Sequence, residues 1–156
     1  MSLATVLGFL GVFFAGMLSG MEFVIHYGVR GPAETLDDRA QLQLRQALVL
    51  RLRVLIPAFF VPTAAFGIAV TALEWTAPGW WFRIVGLLAL LVWICIRVIG
   101  TVPINSATVS WRLEAPPKNW KGLVERAERF HVVGVWAVIL AFALFLAAFA
   151  LTLIGS

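Results

Sequence analysis

Cysteine, histidine, tyrosine and charge are all scarce in this chain of 156 residues. It has one Cys, two His and one Tyr, and only 13% of its residues are charged. A lone Cys95 excludes an intrachain disulfide and any cysteine-built zinc site, and within an apolar run it reads as core packing. Soluble domains are about a quarter charged. Half that share, with 62% hydrophobic residues and a mean hydropathy of +0.96, excludes a soluble enzyme and a disordered chain. A nucleic-acid-binding module is excluded too, despite a pI near 10.2, because no basic solvated face is available to carry one. Internal repeats, phosphate-binding loops and low-complexity tracts are also missing.

What the sequence does have is four long apolar runs, each near the roughly 20 residues that a helix needs to cross a bilayer. They cover about 3–25 (free of charge from Leu3 to Met21), 54–73, 82–102 and 132–154. Lone strands leave backbone groups unpaired in lipid, so all four are expected to be helices. The expected fold is all-α, a single integral membrane domain over 1–156 built as a four-helix bundle. Arg83 and Arg97 lie near the two ends of the third run, where each is expected to snorkel towards headgroups. The first run has no basic residue ahead of it before Arg30, so it reads as a retained span rather than a secretory signal.

The connections differ in charge. Residues 26–53 contain Arg30, Arg39, Arg45, Arg51 and Arg53; residues 97–131 contain Arg97, Arg112, Lys118, Lys121, Arg126 and Arg129. Only Arg83 lies in the connection between spans two and three. The positive-inside rule then places the charged connections in the cytoplasm and both termini outside, in an inner (plasma) membrane. Trp75, Trp80 and Trp81 crowd the short outer connection, where an aromatic belt belongs. Two amphipathic inner segments, 35–53 and 119–131, are expected to run into spans two and four. Thr35 and Asp38 resemble a capping box for the first, with Arg45 on its polar side. Pro57 and Pro62 fall inside span two, and Ala115-Pro116-Pro117 breaks the chain before the second amphipathic segment.

Ionisable residues within spans are expensive, which makes them functional candidates. Glu22 and His26 are four apart on one helix face, continued backwards by Ser19, Ala15, Gly11 and Gly8. Small residues mark helix–helix contact, so this face should point into the bundle. With Arg97 and Asn105 near the end of span three and His131 opening span four, five polar residues fall at one depth near the inner face. Structural alternatives exist for each: Glu22 pairing with Arg97 or Arg30, the histidines at the membrane surface, Asn105 capping a kinked helix after Pro103.

Three chemistries fit the five. Glu22, His26 and His131 have the ligand types of a two-histidine, one-carboxylate site for iron or another divalent metal. His26 and His131 on separate helices match axial ligation of haem. Without any cofactor, a histidine or glutamate base with Arg97 or Asn105 as oxyanion donor suits proton removal from an apolar substrate.

Beyond these residue types, the Gly-rich first span, Thr101-Val102-Pro103-Ile104-Asn105, and Trp120 followed by Arg126, Phe130 and His131 resemble the anthrone oxygenase-like family of small membrane proteins, domain of unknown function 1772. Phe130 stands where that family commonly has tryptophan, and its usual arginine shortly after the histidine is missing from Val132 to Leu140. The resemblance covers essentially the whole chain. It implies dioxygen-dependent oxidation of an activated methylene in an apolar aromatic, with Asn105 and His131 at the matching positions. The expected partners are membrane lipid and a lipophilic small molecule. Two other classes stay open: a small proton-coupled exporter using Glu22, and a non-catalytic subunit assembling as a homo-oligomer through the small-residue stripe.

Overall fold

The computed structural model describes residues 2–154, which form helices and turns without a strand. The chain ends, expected to face outward, lie beyond these residues. Helix α1 spans Leu3–Phe23, continues through a wider π-helical segment Val24–Val29 and ends in a short α2, Arg30–Glu34. A single long α3, Asp38–Leu73, follows. Next come α4 (Trp80–Ile96), a second π-helical segment Arg97–Thr101, α5 (Val102–Val109) and α6 (Trp120–Ile154). Four of these continuous rods are long and apolar enough to cross a membrane: Leu3–Glu34, Asp38–Leu73, Trp80–Val109 and Trp120–Ile154. The protein is an all-α, integral membrane four-helix bundle.

Helix α6 packs against α1 and α4, while α3 packs mainly on α1. Small residues set these distances. A Cβ on Gly11 would lie 3.4 Å from Phe66, and one on Gly8 3.0 Å from Phe149. The buried stripe of α1 is Gly8, Gly11, Ala15, Leu18, Ser19 and Glu22, the face expected from the sequence. Leu18, Ala89, Leu90, Trp93, Val138 and Ala141 form the central apolar cluster. Phe9, Phe13, Val61, Ile68, Leu88, Leu91, Trp136 and Leu140 point outward, an apolar exterior suited to lipid.

The two π-helical segments share a local cause. A proline ring clashes with the carbonyl four residues earlier and supplies no N–H to it. Pro32 addresses Gly28, and Pro103 addresses Ile99, each inside the widened segment. Widening relieves the clash, and the Val102 N–H bonds back five residues to the Arg97 carbonyl. Pro57 and Pro62 are carried within α3 without such a change.

Several expectations need correction. Helix α3 is capped by Asp37, whose side chain accepts from the Ala40 N–H at 2.9 Å; the Thr35 hydroxyl instead donates to the Pro32 carbonyl. The first and third rods run on to Glu34 and Val109, so Asn105 lies within α5 and caps nothing. Cys95 is exposed, not packed in the core. Arg83 does not snorkel. It is 3% exposed and donates to Glu74 and, at 2.7 Å, to Thr152, tying together the ends of α3, α4 and α6 far from the charged connections.

Gly79 starts α4 with φ +90, a left-handed conformation that side chains rarely adopt, and an added Cβ would lie 3.0 Å from the Ala148 backbone. Both terms act together in Gly79→Ala. It is expected to destabilise the bundle by about 1–3 kcal/mol, read as a lower unfolding midpoint in detergent against wild type.

Candidate functional site

The site forms where the charged connections meet the helices. Glu22 is wholly buried, and both its carboxylate oxygens accept from Arg97 Nη1, at 2.7 and 2.8 Å. Its Oε2 is also 2.8 Å from His131 Nε2. An ionised carboxylate can only accept, so this contact puts a proton on Nε2, and in the neutral imidazole the lone pair is then on Nδ1. That Nδ1 faces Glu128 Oε2 at 3.6 Å, and His26 Nδ1 faces the same oxygen at 3.7 Å. The other Glu128 oxygen accepts from Arg45 Nη1 at 2.9 Å, and Arg45 Nη2 donates to Asn105 Oδ1 at 2.8 Å. One polar chain thus runs Asn105–Arg45–Glu128–His26/His131–Glu22–Arg97, with members from all four rods.

Local structure explains the convergence. Glu22 is near the end of α1, and the widened turn that follows carries His26, which is 8% exposed, inward. The second widened segment begins at Arg97 and ends at Thr101, both buried. Arg97 also lies over the Trp93 ring, 5.5 Å from its centroid. Gly100 leaves space for the Phe130 ring, since a Cβ there would fall against it. That close fit brings α6 onto the third rod and sets His131, the next residue, beside Glu22.

A cavity of about 430 Å³ opens beside this chain. Ile25, Val29, Leu44, Leu48, Leu52 and Val124 give it apolar walls, while Arg45, Arg97, Thr101, Asn105, Glu128 and His131 supply its polar surface. Arg30, Glu34, Asp38, Lys121 and Glu125 also line it and pair at its edge: Arg30 with Glu34 at 2.8 Å, Lys121 with Asp38 at 2.6 Å. Among the polar lining groups, Thr101 Oγ1 and Arg45 Nε are buried without a hydrogen-bond partner among the described residues. A cavity of this size with apolar walls and a few convergent polar groups suits a small organic molecule.

Comparison with known proteins adds no label: no family model, curated protein or solved structure matches the chain. The site therefore rests on its own geometry.

All five residues singled out in the sequence, Glu22, His26, Arg97, Asn105 and His131, belong to this connected chain. Glu22 pairs with Arg97, the structural alternative open from the sequence. The donor atoms that converge within 4.8 Å are those of His26, Glu128 and His131. Arg97 is buried rather than snorkelled. The two imidazoles meet edge to face with centroids 5.4 Å apart, which leaves no slot for a flat macrocycle between them and disfavours axial haem ligation.

Arg45, Thr101 and Glu128 are site residues that the sequence does not single out. Arg45 was assigned to a polar helix side, yet it is only 17% exposed. Glu128 was lost among the charges of an amphipathic run, although it stands three residues before His131 on the same face of a helix. That spacing was the available signal.

Proposed function

We propose that this protein is a membrane oxygenase, which takes an acidic, lipophilic aromatic from the bilayer and oxidises an activated methylene with dioxygen. The observation that carries this reading is the cavity, where apolar walls meet a buried histidine–carboxylate cluster and hydrogen-bond donors without partners. The resemblance to anthrone oxygenase-like proteins supports it independently of the geometry. In this reading the substrate's acidic proton passes to the histidine–carboxylate cluster. The resulting oxyanion is held by Arg97 and by Arg45, which Asn105 orients, with the Thr101 hydroxyl as a further donor. The electron-rich anion then reacts with dioxygen. For anthrone the balance is simple: the methylene loses both hydrogens, one oxygen atom becomes the new ketone and the other leaves as water.

In a plasma membrane, the charge bias supports an orientation with the cavity at the cytoplasmic face. The cavity opens at the end carrying eleven of the twelve cations, which the positive-inside rule puts in the cytoplasm. An exporter reading is less well supported, because Glu22 is held by Arg97 and is not the accessible carboxylate that proton coupling needs.

The test is dioxygen uptake by purified protein in lipid nanodiscs supplied with anthrone. Uptake is expected to exceed that of protein-free nanodiscs and to match anthraquinone formed mole for mole. Asn105→Ala, which frees Arg45 from its orienting contact, should lower the rate by about tenfold. Uptake equal to the protein-free rate rejects the reading.

A further inference from the structure

The geometry assigns a binding site for one divalent first-row transition ion, iron(II) by ligand type, to His26 Nδ1, His131 Nδ1 and Glu128 Oε2. Four observations converge on it. First, the three donors come from two different rods and lie within 4.8 Å of one another. Ligands about 2.1 Å from an ion, at tetrahedral or octahedral angles, stand roughly 3.0–3.4 Å apart. The separations of 3.6 and 3.7 Å to the shared carboxylate oxygen are too long for hydrogen bonds and need only small rotations to close on an ion.

Second, His26 Nδ1 is buried and has no hydrogen-bond partner among the described residues, although its residue is more than nine-tenths buried. An imidazole nitrogen left unpaired in such a place is costly, and an ion would satisfy it.

Third, the remaining donor atom of His131 and the second oxygen of Glu128 are already held. Glu22 occupies His131 Nε2 at 2.8 Å, and Arg45 occupies Glu128 Oε1 at 2.9 Å. A metal-binding histidine ordinarily gives its other N–H to a carboxylate, which fixes the tautomer and the ring. Here that carboxylate is itself anchored by Arg97. Glu128 is likewise limited to one free oxygen, as expected of a monodentate ligand.

Fourth, Glu128 and His131 line the cavity, so an ion between them has open positions facing any molecule held there. Two imidazoles, one carboxylate and open positions form the donor set of non-haem iron(II) sites. The carboxylates of Glu22 and Glu128 are balanced by Arg45 and Arg97, so the ion's charge is uncompensated by protein. Its open positions therefore favour an anionic oxygen, such as a phenolate or enolate.

This inference concerns the same cluster as the proposed oxygenase chemistry but stands apart from it, because ion binding is measured without substrate. The full chain, stripped with chelator and held in nanodiscs, is titrated with cobalt(II) as a spectroscopic probe. One ion per chain is expected, with visible ligand-field bands. His26→Ala and Glu128→Gln should each weaken binding by about a hundredfold or more, and Glu22→Gln by about 10–100-fold. Cys95→Ser, at an exposed position outside the cluster, should change nothing. Absence of a one-to-one complex in the wild-type protein overturns the proposal whatever the variants do. So does wild-type affinity in His26→Ala. Anthrone oxidation that persists after chelation, beside absent cobalt binding, removes the metal site and keeps the oxygenase; cobalt binding without oxidation does the reverse.

Discussion

Arg97→Ala is expected to destabilise the bundle by about 3–5 kcal/mol, the largest stability effect of any single substitution at the site. The cost does not measure the attraction between Arg97 and Glu22 alone. Removing the guanidinium leaves a wholly buried carboxylate with His131 as its one remaining hydrogen-bond contact among the described residues. It also strips the cation from the Trp93 face at the bundle centre. The control is the double variant Glu22→Gln/Arg97→Leu. Once the carboxylate is neutral, its desolvation no longer opposes folding, and the double variant is expected to unfold at higher denaturant than Arg97→Ala. Reversible unfolding in mixed micelles gives both numbers. Equal stability of the single and double variants would show that the pair does not couple in the way its geometry implies.

The bundle itself was readable from residue types because a bilayer restricts the answer. Apolar runs of the right length must be helices, and the small residues from Gly8 to Ser19 showed which face of the first one is buried. Glu22, His26, Arg97, Asn105 and His131 could be grouped because alternating topology brings the ends of rods one and three and the start of rod four to one level. Less accessible was anything decided by a partner across the bundle. Arg83 looked like a snorkelling residue because the sequence does not reveal that Glu74 and Thr152 wait beside it. Arg45 and Glu128 sit in amphipathic stretches rich in charge, where period alone does not tell a solvated charge from a paired one. The widened turns were missed for another reason. Gly31-Pro32 reads as a turn signal and Pro103 as the end of a kinked helix, yet at both places the helix continues past the proline and the turn before it is widened. That difference carries His26 and Thr101 into the site and takes Asn105 from a helix end into a helix.

The decisive test of chemistry is His131→Gln, which should lower anthrone-dependent turnover by about 10²–10⁴-fold with little change in stability. Glutamine is chosen over alanine because its side-chain amide can still donate to Glu22, keeping the buried carboxylate satisfied. What it lacks is a titratable nitrogen on the side facing Glu128 and His26. Both uses of that nitrogen, accepting a proton and binding an ion, vanish together, so the loss is expected in kcat under either. A chelated wild-type sample tells the two apart: it retains turnover if the nitrogen is a base and loses it if the nitrogen is a ligand. Asn105→Ala provides the contrast, since its contact runs through Arg45 and leaves His131 untouched. A His131→Gln protein that folds like wild type and turns over anthrone at the wild-type rate would remove His131 from the reaction. The cavity would then remain a binding site for a lipophilic molecule, with the histidine–carboxylate chain serving only to hold four helices in register.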